Sequence, residues 1–219
     1  MPSRFFARAV LALAAALATG TALAAPVDDA VADLQREWET IRYRTPTAQH
    51  AERFEALAGK AHKVVETYPG RAEPLIWNGI VVSTLAGAKG GLGALSLARD
   101  AKVMYEQALK FNPGALDGSA YNSLAVLYYK VPGWPVGFGD KARAKELLDK
   151  AVAINPKGID ANFFYGEYLV ETGKPAEAVV YLERALAAPA RPGREIADAG
   201  RRDEAKALLD KVRAQVAAR

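Results

Sequence analysis

Apolar residues recur at three- and four-residue spacing along most of this chain, and runs alternating every second residue are nearly absent, so the pattern predicts helices and no sheet. A first helix fits residues 27–43 and stops before Thr45-Pro46. A second fits residues 47–67, with Phe54, Leu57, Ala58, Ala61, Val64 and Val65 on one face. Further helices are predicted at 74–86, 92–110, 118–129, 141–154, 159–171, 175–187 and 203–216, the last with an apolar stripe of Ala207, Leu208 and Val212. Alanine, leucine, glutamate, lysine and arginine dominate between glycine and proline clusters, which favours helix everywhere else.

The helix endings are themselves periodic. Tyr68-Pro69, Phe111-Asn112-Pro113, Ile154-Asn155-Pro156 and Ala188-Pro189 punctuate the chain, and the last three follow amphipathic runs with Ala at matched places. One helix-hairpin unit is therefore reused. In the unit near Ile159, Gly166, Leu169, Ala178, Leu182 and Ala185 stand at the spacing of a small residue, an aromatic or Leu, and the matching set on a second helix, with Pro189 one place early. Near Gly118 the set is Tyr121, Leu124, Ala125 and Tyr128, then Ala144, Leu148, Ala151 and Pro156, with seven extra residues between the helices. Near Ala72 it is Gly79 and Val82, then Ala101, Tyr105, Ala108 and Pro113, with ten extra. An N-terminal pair keeps only Leu57, Ala61 and Pro69.

On these residues the chain resembles the tetratricopeptide repeat family. The resemblance implies an all-α fold of stacked antiparallel helix hairpins in a right-handed superhelix, which binds a protein or peptide and does not catalyse. It implies a division into residues 25–70 (degenerate pair), 71–190 (three hairpins) and 191–219 (linker and capping helix). It places the concave groove on the first helix of each unit, at Ile76, Ile80 and Ser83, then Asn122, Val126 and Tyr129, then Phe163, Glu167 and Val170. That groove would be apolar with one acidic spot, Glu167, for a basic or hydroxyl group. The Lys and Asn clamp that such grooves use for a peptide carboxylate is missing from those places.

The extra residues are where individuality is expected. Val131 to Asp140 puts two prolines, three glycines, Trp134 and Phe138 into one hairpin loop. We expect Trp134 and Phe138 to fold back and plug the hairpin, with Asp140 capping the next helix; the alternative is an exposed recognition knob built on the same two aromatics. Ala86 to Ala94 is glycine-rich but lacks the Gly-Lys-Ser/Thr ending of a phosphate loop and follows no strand, so a loose helix connection is expected.

Residues 1–24 read as an export signal: Arg4 and Arg8, an apolar run from Ala9 to Leu17, and small residues at Ala22 and Ala24 where cleavage would leave Ala25-Pro26. The run is short for a membrane span, so the expectation is a periplasmic protein with no span after cleavage. Loss of Arg4 and Arg8 takes the formal charge from +4 to +2, too even a balance for a nucleic-acid surface. The absence of cysteine removes disulfides and thiolate sites. His50 and His62 lie too far apart along one helix to share a metal and read as surface residues; Ser83, Ser96, Ser119 and Ser123 have no nucleophile elbow. No cofactor is expected. Arg191-Pro192-Gly193-Arg194 and Gly200-Arg201-Arg202 read as a solvated, nonhelical linker pairing with Asp198, Asp203 and Glu204, or else as a patch for an anionic partner.

Export together with glycine-rich hairpins is also similar to the T component associated with tripartite ATP-independent transporters. That narrower resemblance implies self-association, a periplasmic solute-binding partner and a hydrophobic ligand, though this chain has no cysteine for the lipid anchor often found there.

Overall fold

The computed structural model describes residues 24–218, so the expected export segment lies outside the described residues but for Ala24. Among the described residues the chain forms α1 (Ala24–Arg44), α2 (His50–Thr67), α3 (Ala72–Lys89), α4 (Gly91–Phe111), α5 (Ala115–Lys130), α6 (Lys141–Ile154), α7 (Ile159–Glu171), α8 (Pro175–Leu186) and α9 (Glu195–Ala217), with no strand. The all-α expectation is met. None of these helices is long and apolar enough to cross a membrane.

Each helix packs on the next, and α1, α3, α5, α7 and α9 also touch in series, which makes the odd-numbered helices an inner layer and the even-numbered ones an outer layer. The matched small residues explain the close stacking. A Cβ on Gly166 of α7 would lie 2.8 Å from Leu182 Cδ2 of α8, and one on Gly79 of α3 would lie 2.6 Å from Tyr105 Cε1 of α4. Bare backbone at those places lets Leu182 and Tyr105, both wholly buried, fill the space beside it. The other matched residues, including Ala101, Ala108, Leu124, Ala125, Ala144, Leu148, Ala151, Leu169, Ala178 and Ala185, are buried in the same seams.

Three elements differ from the sequence expectation. The glycine-rich stretch after Ala86 is not a loose connection: α3 runs on to Lys89, only Gly90 separates it from α4, and the extra residues lengthen both helices. Gly90 and Gly91 take φ of +63° and +64°, which lets the chain reverse in so short a joint. Helix α5 begins with Leu116, Asp117 and Gly118 in left-handed conformation, so its regular part starts at Ser119, close to the expected start. The third difference is the C-terminus. Helix α9 begins at Glu195 and runs straight through Gly200, which was expected in a break. Gly200 is there because a Cβ would lie 2.3 Å from Tyr43 Cδ1 and 2.4 Å from Cε1 of α1, so the glycine marks a close helix approach.

That approach closes the stack on itself. Arg194, just before α9, bonds Glu39 of α1 at 3.2 Å, and Arg42 of α1 bonds Glu204 of α9 at 2.7 Å. First and last helices of the inner layer thus meet.

Candidate functional site

Closure converts the concave wall into a half-enclosed cavity of about 640 Å³, within the size range of small-molecule pockets. Helix α1 supplies Trp38 and Tyr43, α3 supplies Trp77, Ile80, Ser83, Thr84 and Gly87, and the start of α4 supplies Leu95 and Ala98. From α5 come Ser119, Asn122, Ser123 and Val126, from α7 Asp160 and Phe164, and from the α8–α9 region Arg191, Arg194 and Arg201. The aromatic end is braced: Trp38 and Trp77 meet edge to face at 6.0 Å between ring centres, and Trp38 Nε1 donates to Thr84 Oγ1 at 3.0 Å. On the hydroxyl-bearing wall, Ser83 and the buried Tyr105 hydroxyl share a 3.0 Å hydrogen bond. Burial pushes the Tyr105 hydroxyl far above its ordinary pKa, so it stays protonated and acts only as a neutral hydrogen-bonding group.

The expected pairing with Asp198 and Glu204 is present, but the arginine end is a largely buried network rather than a solvated, nonhelical linker, which corrects that part of the sequence expectation. Arg191 donates from its backbone N and Nε to Asp198 at 2.8 and 2.7 Å and from Nη1 to Asp160 at 2.8 Å. Arg201 donates to Asp160 at 2.8 Å and Glu204 at 2.6 Å while its guanidinium lies 4.5 and 4.4 Å from the ring centres of Phe163 and Phe164. Its side chain is only 11% exposed. Long cations leave water here because carboxylates and aromatic faces replace it.

Asp160 feels both cations. Burial alone would raise its pKa, but Arg201 and Arg191 outweigh this and hold it at about 2. A carboxyl held below its unfolded-state pKa stabilises the fold above that value and loses the contribution as pH falls through the folded-state value. A carboxyl held at about 2 corresponds to roughly 2.5 kcal/mol, discounted to about 1–2 kcal/mol because a third of the Asp160 side chain stays open. Urea unfolding is therefore expected to show stability falling between about pH 4 and pH 2, with a smaller slope in Asp160→Asn. An unchanged slope in the variant would assign the loss to other carboxylates, such as Asp149, whose bonds to Lys145 and Tyr165 also lower its pKa.

The expected groove residues are scattered. Ile80, Asn122, Val126 and Ser83 line the cavity. Ile76, Tyr129 and Phe163 instead point into the packed interior, at 0%, 5% and 5% exposure. Glu167 is not a free acidic spot: it accepts from the Tyr129 hydroxyl at 2.6 Å and pairs with Lys130 at 3.0 Å. The two loop aromatics part company. Phe138 packs edge to face on Tyr128 at 5.8 Å, as a plug would, whereas Trp134 is 90% exposed and plugs nothing. Asp140 caps α6 as expected, accepting from Arg143 N at 3.0 Å. His50 is buried, not on the surface, with Nε2 3.0 Å from the Thr45 carbonyl; His62 is exposed beside Glu66. Among the described residues no three His, Cys, Asp or Glu side chains gather as a metal site.

Residues 136–195 match the tetratricopeptide repeat family model. The chain contains tetratricopeptide-repeat sequence. A thermophilic tetratricopeptide-repeat protein of Thermus thermophilus superposes with a TM-score of 0.51 at 23% identity, over 80% of this chain and 89% of that one. MamA superposes with a TM-score of 0.44 at 19% identity, over 74% and 87%. No curated protein matches in sequence. The matched stretch runs from the Trp134 loop through α6, α7 and α8, the most regular part of the repeat array. Tetratricopeptide repeats make the fold that of a protein-interaction scaffold; the closed inner ring and the protruding loop are what this repeat protein adds.

Proposed function

We propose that this protein is an exported, periplasmic scaffold that holds a protein partner through the tip of its Trp134 loop. The observation that carries the reading is an apolar tip presented on a braced loop. Trp134 and Val136 are 90% and 61% exposed. The loop beneath them is tied by Gly139 N to Pro132 O at 2.9 Å, Asp140 N to Tyr128 O at 2.8 Å and Gly137 N to Gly133 O at 3.1 Å. A large aromatic held in water by ordered backbone loses little conformational entropy on binding, and such residues anchor interfaces. Export is supported by the basic start, short apolar run and Ala22/Ala24 of the first 24 residues.

Trp134→Ala is expected to leave the melting temperature within about 1 °C, since an exposed side chain contributes little to stability, and to weaken partner capture by at least tenfold. Phe138→Ala is expected to lower stability by about 1–2 kcal/mol through loss of its packing on Tyr128. Crosslinked capture from periplasmic extract, with calorimetry on each variant, checks both. Equal capture by wild type and Trp134→Ala would end the loop reading.

A further inference from the structure

The cavity is charged unevenly. Arg191, Arg194 and Arg201 line it, whereas Glu39, Asp198 and Glu204, which neutralise them, are not part of its lining; Asp160 is the one acid facing in among the described residues. Arg194 is the least well neutralised of the three. Among the described residues it bonds only Glu39, through Nε at 3.2 Å, and its guanidinium lies 5.1 Å from the Trp77 ring centre. Burial and the charge of Arg191 together hold its pKa below the usual arginine range, the mark of a cation short of counter-charge. A second polar group on the wall is also unsatisfied: Asn122 is 5% exposed, and its Oδ1 has no hydrogen-bond partner. Elsewhere the wall carries the hydroxyls of Ser83, Thr84, Ser119 and Ser123, a Lys130 already paired with Glu167 and Glu171, and an apolar stretch in which Trp38, Ile80, Leu95 and Val126 are prominent.

We propose that the cavity binds an amphiphilic monocarboxylate, its carboxylate on Arg194 and its apolar tail or ring against Trp38, Trp77, Leu95 and Val126. A guanidinium whose Nη groups remain free offers the forked geometry that a carboxylate matches. The charge balance selects a monoanion, because Asp160 already occupies Arg191 and Arg201 and repels a second negative charge. The volume suits a small amphiphile. Val131, Pro132 and Val136 of the Trp134 loop also line the cavity, but Trp134 does not, so Trp134→Ala and Arg194→Gln test the two readings apart.

Titration of the purified protein with decanoate and with 1-decanol, followed by tryptophan fluorescence and calorimetry, tests the assignment. Decanoate is expected to bind at least tenfold more tightly than the uncharged alcohol, and Arg194→Gln is expected to bring the two within about threefold. Gly87→Trp supplies a variant that does not touch the Arg194 ion pair: Gly87 lines the cavity and a Cβ there meets nothing within 4 Å, so the fold is kept while the bulky ring fills the space. It is expected to weaken decanoate at least tenfold. Equal binding of acid and alcohol, no binding of decanoate, or undiminished binding by Gly87→Trp would each overturn the proposal. Binding of a peptide with a free C-terminus where decanoate fails would identify the occupant as a partner's tail and overturn it equally.

Discussion

Arg201→Leu is expected to destabilise the protein by about 3 kcal/mol. Removing one member of a buried ion pair typically costs about 3–5 kcal/mol because the partner is left desolvated and uncompensated. Two features pull the value to the lower end. Asp160 keeps Arg191, and Glu204 keeps Arg42, so neither carboxylate is orphaned. One feature pulls it back up: the guanidinium also covers the rings of Phe163 and Phe164, and leucine restores only part of that contact. For a chain of this size the loss corresponds to a fall in melting temperature of roughly 6–12 °C. Urea titration at neutral pH measures it, and Asp160→Asn in the same background is expected to recover part, since Asp160 then has only one of its two arginines to offset its burial. A loss below about 1 kcal/mol would mean that water, rather than carboxylates and rings, solvates this arginine.

The packing of α9, which Arg201 ties to α7 and the Arg42–Glu204 pair ties to α1, was the part of the fold least legible in the sequence. Helices and their pairing were readable because they are local: three-four spacing marks each buried face, and a small residue opposite Tyr or Leu marks each hairpin. Closure rests on Arg194 meeting Glu39 across 155 positions, and no local pattern announces such a contact. Gly200 carries two physical meanings in sequence, helix breaker or close approach, and only Tyr43 decides between them. The arginines read as solvated because a long cation usually is, unless rings and carboxylates converge on it from other helices.

Ile80, Ser83, Asn122 and Val126 line the cavity as expected, whereas Ile76, Tyr129 and Phe163 do not, for a different reason. Neighbouring positions on a helix point about 100° apart, so one place of register separates a lining residue from a core one. Trp77 and Phe164 line the cavity, whereas Ile76 and Phe163, one place earlier, are interior. A signal for α3 did exist. Leu75, Ile76, Trp77, Ile80, Val81, Val82 and Leu85 leave it almost no polar face, as a helix covered on every side requires. The acidic spot at Glu167 failed because Tyr129 and Lys130, both on the preceding inner helix, reach it first.

Gly79→Ala is expected to cost up to about 2 kcal/mol, although in an exposed helix the same change stabilises. Helix propensity favours alanine over glycine by about 1 kcal/mol. Against that, the new methyl would sit 2.6 Å from Tyr105 Cε1 and 3.0 Å from Cδ1 and Cζ. Tyr105 is wholly buried and its hydroxyl is tied to Ser83, so the ring yields only by breaking that bond or pushing α4 outward. Overpacking of this kind costs about 1–3 kcal/mol and here exceeds the propensity gain. Gly59 in α2 is the matched control, because a Cβ there meets nothing within 4 Å. Gly59→Ala is expected to raise stability by up to about 1 kcal/mol, so the two substitutions should move the urea midpoint in opposite directions. Tyr105 and Ser83 also line the cavity, so Gly79→Ala should weaken decanoate binding as well, whereas Gly59→Ala should leave it unchanged. Shifts of the same sign in both variants would show that backbone entropy, not the fit of Tyr105 over bare glycine, governs this seam. The same close approach that stacks α3 on α4 would then have no part in shaping the cavity beside it.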